Sequence, residues 1–117
     1  MITSLPNKEA LEGLIRNSSG IVVLKFGAEW CSPCKMIETF VADKYDELPE
    51  NVTKGVIDVD ENFELYAILK RKKIVQMIPT ILRYDADNEG SIIPDDCVVG
   101  TDDKQLNRFF DDIMNDA

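Results

Sequence analysis

The chain has 117 residues, 22 acidic and 13 basic side chains, three cysteines and no histidine, and its formal net charge is -9. This length is expected to form one domain, 1–117, and 44% hydrophobic residues suffice for a core. The negative charge disfavours non-specific binding to nucleic acid or to an anionic membrane, because both need clustered cations. The lack of histidine excludes Ser-His-Asp and Cys-His catalysis and histidine metal ligands.

The N-terminal residues and the cysteine count indicate the compartment. No basic segment precedes an apolar run, so no signal peptide is expected. The longest apolar stretch, residues 21–24, is too short to cross a bilayer. An odd number of cysteines in such a chain is not typical of a structural disulfide framework. These features predict a cytoplasmic protein.

The first half of the chain predicts alternating helices and strands. Residues 8–17 carry apolar side chains at helical spacing and are expected to form a helix capped by Asn7. The β-branched run 21–26 predicts a strand buried on both faces. A longer helix is expected over residues 32–48, followed by a strand over 52–59.

The second half predicts one more helix, a hairpin and a terminal helix. The helix is expected over residues 60–71, and the first hairpin strand over 78–84. Residues 92–99 are expected to pair back, with a bulge at Pro94 because proline cannot donate to a ladder. Thr101 is expected to cap the last helix. This order of elements predicts an α/β fold.

Cys31 and Cys34 stand at C-x-x-C spacing, where the first predicted strand leads into the second predicted helix. Two intervening residues let the sulfurs approach disulfide distance within one turn. Cys31 is expected to be the nucleophile, because the N–H groups and dipole of a helix N-terminus favour a thiolate. Cys34, inside the first turn, is expected to be the resolving thiol. This chemistry requires no cofactor.

Two other interpretations of the cysteine pair remain open. A closed zinc site takes four ligands, and the chain offers one C-x-x-C pair, the distant Cys97 and no histidine. No metal is therefore expected. The pair could also be inert and buried, but the flanking Trp30 and Pro33 in a loop disfavour this interpretation.

Residues 28–37, Ala-Glu-Trp-Cys-Ser-Pro-Cys-Lys-Met-Ile, resemble the active-site motif of the thioredoxin family, with Ser32 where glycine is usual. Residues 57–62 resemble the family's third strand and the turn after it. Residues 78–80 match its cis-proline loop, and Gly100 matches the glycine before the last helix. The resemblance covers nearly the whole chain. It implies a thioredoxin fold, with a central mixed β-sheet flanked by about four helices, and dithiol–disulfide exchange on protein substrates.

The resemblance also implies roles for single residues. Cys31 matches the attacking cysteine and Cys34 the resolving one, which pair as the redox-active disulfide. The implied substrate-binding residues are Trp30, Ser32, Pro33, Ile78, Pro79 and Gly100. Trp30 and Lys35 are also expected to support catalysis, and so is Lys25, although it departs from the family. Pro79 would be a cis-proline that presents the backbone of Ile78 to an extended substrate. The implied partners are protein disulfides and a thioredoxin reductase or the glutathione system, and the protein is expected to be a monomer.

Lys25 departs from the family pattern, because thioredoxins usually carry a buried aspartate at this position. It is the only charge in residues 21–26 and shares a strand face with Val23. Its side chain is expected either to reach water at the sheet end or to lie under the disulfide. In the second case the cation would stabilise thiolate and make the couple more oxidising than an ordinary thioredoxin. Because the aspartate is missing, neutral Lys25 or a water would have to take the proton of Cys34.

Other departures lead to smaller predictions. Thr39 stands where the family has a kink-forming proline, so a straighter helix is expected. Gly27 replaces a larger side chain and predicts looser packing behind the active-site loop. Cys97 is expected to be a buried small hydrophobe, with a regulatory or dimerising thiol as the alternative. The basic run 70–73 is expected to be a solvated helix end, with recognition of an acidic partner as the alternative.

The alternative function keeps the fold without the turnover. A thioredoxin-like domain can serve as a redox-inactive binding or scaffold subunit, and the changes at Lys25 and Val56 (where the family often has lysine) are compatible with that function. The retained Trp-Cys-x-x-Cys sequence favours the oxidoreductase.

Overall fold

A four-stranded mixed sheet forms the centre of the computed structural model, which describes residues 1–117. The strands are β1 (Val22–Gly27), β2 (Thr53–Asp58), β3 (Thr80–Tyr84) and β4 (Asp96–Val99), in the order β2-β1-β3-β4. β1 pairs in parallel with β2, whereas the β1–β3 and β3–β4 pairs are antiparallel. An isolated parallel bridge between Ile2 and Gly55 extends the β2 edge.

Five helical segments cover the two faces of the sheet. They are α1 (Lys8–Asn17), α2 (Ser32–Met36), α3 (Glu38–Glu47), α4 (Phe63–Arg71) and α5 (Asp103–Asp116). The predicted α/β architecture is confirmed. The single helix expected over residues 32–48 is divided into α2 and α3, which gives five helical segments where about four were expected. None of the five helices has the length and apolar character that a membrane-spanning segment requires.

The sheet separates two apolar cores, and β1 contributes to both. Leu24 packs among side chains of α1 and α4, and Val23 packs on the opposite face among those of α3 and α5. All six residues of β1 are buried, as the β-branched run predicts for a strand covered on both faces. The active-site loop therefore leaves the sheet from its most enclosed strand.

The long second helix is interrupted at Ile37, so the straighter helix expected from Thr39 is wrong. The backbone of Ile37 leaves the helical region at φ -106° and ψ 4°. The residue is 4% exposed, and its side chain packs in the core. α3 resumes at once, because the N–H of Val41 donates to the carbonyl of Ile37 at 2.9 Å. Packing of a buried side chain at the junction thus accompanies the interruption without a proline.

Two boundaries differ from their predictions, at the start of the last helix and at the start of the last strand. The last helix is capped by Asp102, which accepts from the backbone N–H of Gln105 at 3.0 Å, and not by Thr101. The strand expected from residue 92 begins only at Asp96, beyond Pro94. The Asn7 cap of α1 is confirmed by a 2.9 Å bond from the N–H of Ala10.

Candidate active site

Cys31 and Cys34 form a disulfide where the loop after β1 enters α2. Their Cα atoms are 5.3 Å apart, and Cys31 is the N-cap residue of α2. The backbone N–H of Cys34 donates to Sγ of Cys31 at 3.2 Å. Both residues are buried, at 4% and 3% exposure. On reduction, a thiolate at Cys31 is stabilised by this N–H and by the helix dipole.

The loop before β3 faces Cys31 from the other side. The Ile78–Pro79 peptide bond is cis, as the resemblance implied. Sγ of Cys31 lies 3.9 Å from the carbonyl oxygen of Ile78. The N–H of Gly100, whose φ is +90°, donates to the carbonyl of Pro79 at 2.9 Å. The structure thus brings together predicted site residues that are far apart in sequence.

Trp30 is 69% exposed beside the disulfide. Its indole Nε1 donates a 2.7 Å hydrogen bond to Oδ2 of Asp60 in the turn after β2. Asp58 in turn accepts the backbone N–H groups of Asp60 and Glu61, which defines that turn. Sequence reasoning missed Asp60, because nothing in the local pattern connects it with a residue 30 positions away.

Three further predicted site residues lie at the surface of the active-site segment. Ser32, Pro33 and Lys35 are exposed around the buried cysteines. Pro33 also lies in the first turn of α2, where its missing N–H has no helical partner to lose. Their contacts with substrate stay predictions.

Lys25 lies under the active-site helix and does not reach water past the sheet end. Its side chain is buried, with 6% of the residue exposed, and Nζ donates to the carbonyl oxygen of Cys34 at 3.5 Å. It takes part in no salt bridge. Burial lowers the pKa of Lys25 below its ordinary value, and the charge of Glu38 partly offsets that shift.

A cavity of about 580 Å³ opens between Lys25 and solvent. Cys34 contributes to its wall. The charged residues of its lining are Lys25, Glu29, Lys35, Glu38, Asp58 and Glu61. No group of three or more metal-ligating side chains is arranged to hold a metal ion.

Gly27 allows Cys34 to pack closely against the end of β1. A Cβ at residue 27 would lie 3.2 Å from Sγ and 3.5 Å from Cβ of Cys34. The glycine therefore leaves space for the sulfur, and both residues line the cavity described above, so looser packing behind the loop stays a prediction.

Cys97 is exposed, so the expectation of a buried small hydrophobe is wrong. β4 is an edge strand, and its side chains alternate between the core and solvent. Val98 takes the buried position and Cys97 the outward one. The basic run 70–73 is exposed at the end of α4, which confirms the predicted solvated helix end.

A disulfide at a helix N-terminus, opposed by a cis-proline loop on a mixed sheet, defines a thiol–disulfide oxidoreductase. The family model for Thioredoxin matches residues 3–112, and the chain belongs to the thioredoxin family.

Individual relatives agree with this assignment. The thioredoxin of Chlamydia pneumoniae is 36% identical over 89 residues, which are 76% of this chain and 78% of the relative. The H-type thioredoxin of Ricinus communis is 34% identical over 92 residues, covering 79% of this chain and 70% of the relative. The solved structure of Fasciola hepatica thioredoxin superposes with a TM-score of 0.72 at 26% identity, covering 96% of this chain and 99% of that one.

Proposed function

We propose that the protein acts as a single domain that exchanges disulfides with protein substrates, with Cys31 as the attacking and Cys34 as the resolving sulfur. The observation that carries this proposal is the position of Cys31, which caps α2 and lies 3.9 Å from the carbonyl of Ile78. An extended substrate that pairs with this carbonyl would bring its own disulfide to Cys31. The exposed Trp30, Ser32 and Pro33, together with Pro79 and Gly100, would complete the docking surface.

The proposed partners follow from family membership. The protein disulfides are substrates, and a thioredoxin reductase or the glutathione system returns the protein to its dithiol form. The protein works as a monomer in the cytoplasm, where thiols are kept reduced and a dithiol can act catalytically. The relatives described above are thioredoxins from a bacterium, a plant and an animal, which supports protein disulfides as the substrates.

Lys25 makes the couple more oxidising than that of an ordinary thioredoxin. The ammonium form lies next to Cys34 and stabilises a thiolate there, whereas the aspartate usual in the family opposes one. Stabilising the reduced form raises the reduction potential. The expected potential lies in the range of about -180 to -230 mV found for disulfide isomerase and glutaredoxins, above the value of about -270 mV for thioredoxin.

Equilibration of the protein with a glutathione redox buffer tests this proposal, with Lys25→Asp as the matched variant. The wild type is expected to have the higher potential, and the variant to shift toward the thioredoxin value. A wild-type potential at or below about -270 mV would contradict the role of Lys25.

A second assay tests the turnover itself. Insulin reduction should be lost in Cys31→Ser and retained in Cys97→Ser, because Cys31 belongs to the disulfide with Cys34 and Cys97 does not. If the double Cys31→Ser, Cys34→Ser variant keeps the biological activity of the wild type, the protein is a scaffold and not an oxidoreductase.

A further inference from the structure

The buried amine of Lys25 lies on the same face of β1 as the sulfur of Cys34. Alternate residues of a strand point to one face, so Lys25 and Gly27 share a side of β1. Gly27 is the residue whose missing Cβ would lie 3.2 Å from Sγ of Cys34. The long side chain of Lys25 runs along this face and places Nζ 3.5 Å from the carbonyl of the same cysteine. The amine therefore lies beside the resolving residue.

The hydrogen bonds of Lys25 leave the amine free to change its protonation state. An ammonium group carries three donors, and only one partner is present, at the long end of the hydrogen-bond range. No carboxylate lies within salt-bridge distance to hold the proton on Nζ. A charge in this buried place is costly, so the balance between ammonium and neutral amine lies further toward the amine than it does in water.

The charged groups around Lys25 come from every element that borders the cavity. Lys35 and Cys34 belong to α2, Glu38 to the first turn of α3, and Glu29 to the loop after β1. Asp58 and Glu61 come from the end of β2 and the turn after it. Among these groups, Glu38 is the one whose charge raises the pKa of Lys25 against the effect of burial. The cavity connects them with solvent.

We infer that Lys25 is the proton acceptor for Cys34 when this thiol resolves a mixed disulfide. This inference rests on the proposed exchange reaction, since it concerns that reaction's second half. The other lysine of the lining, Lys35, is exposed, whereas Lys25 is buried with Nζ hydrogen-bonded to the carbonyl of Cys34.

The step conserves atoms and electrons. After Cys31 has attacked, its sulfur is bonded to one substrate sulfur, and the other has left as a thiolate. The neutral amine of Lys25 takes the proton from the thiol of Cys34 and becomes an ammonium. The Cys34 thiolate attacks Sγ of Cys31, and the bond between Cys31 and the substrate breaks. The substrate thiolate leaves with the electron pair and takes a proton from water, so the substrate is reduced and the protein dithiol is oxidised.

The ammonium–thiolate pair formed in this step is the same pair that raises the redox potential in the proposed function. When the disulfide closes, the thiolate charge disappears and the buried ammonium loses the group that stabilised it. The ammonium then returns its proton to solvent through the cavity. One residue thus acts as base on the resolving thiol and as counter-ion to its thiolate.

The two halves of the reaction can be separated with a chromogenic aromatic disulfide. Reduced protein in a Cys97→Ser background is mixed with less than one equivalent of dithiobis-nitrobenzoate in a stopped-flow instrument. The first equivalent of coloured thiol reports attack by Cys31, and the second reports resolution by Cys34. The Cys97→Ser background is needed because Cys97 is exposed and would react with the reagent. Cys34→Ser should release one equivalent only.

The rate of the second phase is expected to rise with pH through an inflection that belongs to Lys25. Lys25→Met should slow this phase by about 100-fold, within the range for a positioned base, and remove that inflection. Glu38→Gln should move the inflection to lower pH, because the carboxylate that raises the pKa of Lys25 is gone. Asp43→Asn, an exposed change on the same helix, is the charge-matched control and should leave the profile in place.

Chemical rescue separates a base from a structural support. Lys25→Ala should regain the second phase in the presence of methylamine or ethylamine, in proportion to the neutral amine, while ethanol should have no effect. Lys25→Met fills the space and should not be rescued, and it carries the test if Lys25→Ala fails to fold. A Lys25→Met variant with the wild-type second phase and pH profile overturns the inference. Loss of the first phase in the wild type would overturn the proposed exchange reaction instead.

Discussion

The indole Nε1 of Trp30 donates a 2.7 Å hydrogen bond to Oδ2 of Asp60, which joins the active-site loop to the turn after β2. Trp30 is 69% exposed, so packing alone does not fix its orientation. The hydrogen bond therefore holds a large apolar surface next to the disulfide, where an extended substrate would dock.

Asp60→Ala is expected to weaken substrate binding with little loss of stability. A hydrogen bond of this kind is worth about 0.5–1.5 kcal/mol, so KM for a protein disulfide should rise about two- to ten-fold with kcat nearly unchanged. Steady-state reduction kinetics measure the effect. Glu64→Ala, which removes an exposed carboxylate on α4 that forms no salt bridge, is the control. An unchanged KM would show that Trp30 is held by other contacts.

Local patterns were sufficient to predict most of the fold. The cap at Asn7, the buried strand β1 and the helix after Cys31 depend on neighbours within a few residues, and each is present in the structure. The cis peptide bond before Pro79 is also present, but its prediction required the family resemblance, because an X–Pro bond alone favours trans.

The features that were missed depend on contacts between distant parts of the chain. The exposure of Cys97 follows from the edge position of β4, which a strand pattern alone does not reveal. The interruption at Ile37 accompanies the packing of its side chain in the core between the sheet and the helices α3 and α5. The position of Lys25 under Cys34 was one of two alternatives, since the sequence does not show where the strand face ends.

Lys25→Met is expected to make the protein more stable at neutral pH. The folded-state pKa of Lys25 lies below the ordinary value of 10.5, so the unfolded chain binds this proton more tightly than the folded chain. Folding therefore carries a cost while both states are protonated. An apolar side chain removes that cost, and a gain of up to about 4 kcal/mol is expected, the upper value for replacing buried ion pairs by apolar residues.

The pH dependence identifies the source of this gain. As pH rises from the folded-state pKa of Lys25 to 10.5, the wild type no longer has to bury a charged ammonium when it folds. The difference in the free energy of unfolding between Lys25→Met and the wild type should therefore shrink over this window. Chemical denaturation at several pH values measures the difference. Lys104→Met, at an exposed position of α5, should show no such trend. An advantage that is constant with pH would contradict a depressed pKa.

Tyr45 and Tyr84 are expected to limit stability in alkali. The hydroxyl of Tyr45 donates to the carbonyl of Gly55 at 2.8 Å, and that of Tyr84 donates to Ile92 at 2.6 Å. Burial raises the pKa of both phenols above the ordinary 10.0, so the unfolded chain loses these protons first. Stability should therefore fall as pH rises above 10.

Tyr84→Phe should lower the free energy of unfolding by about 0.5–1.5 kcal/mol at neutral pH and weaken its alkaline decline. The neutral-pH loss reflects the missing hydrogen bond to Ile92, and the weaker decline reflects the missing phenol. Denaturation curves at neutral and alkaline pH check both effects. Tyr66→Phe, at a half-buried tyrosine whose hydroxyl forms no hydrogen bond within the chain, is the control. Identical alkaline slopes in the wild type and Tyr84→Phe would contradict this explanation.

Asn62 is expected to be important for the attachment of the N-terminal segment. Its side chain is buried, Oδ1 accepts the N–H of Leu5 at 2.8 Å, and Nδ2 donates to the carbonyl of Asp58 at 2.9 Å. Asn62→Ala leaves both groups without this partner, so the free energy of unfolding should fall by about 1–3 kcal/mol. Asn115→Ala, at an exposed site on α5, is the control for the loss of an amide. Equal stabilities of the two variants would disprove the role of Asn62.

Cys97 is expected to be the one thiol that reacts in the oxidised, folded protein. It is exposed on β4, whereas Cys31 and Cys34 are joined in the disulfide. Its pKa is raised above the ordinary 9.0, first by partial burial and then by the charge of Asp96, so alkylation should be slow at neutral pH and accelerate in alkali. Mass spectrometry after treatment with iodoacetamide should find one label per chain before reduction and three after reduction and unfolding. Cys97→Ser should take up no label in the oxidised state. Labelling of Cys97 only after unfolding would instead support the buried position that the sequence suggested, because a thiolate needs contact with the reagent to react.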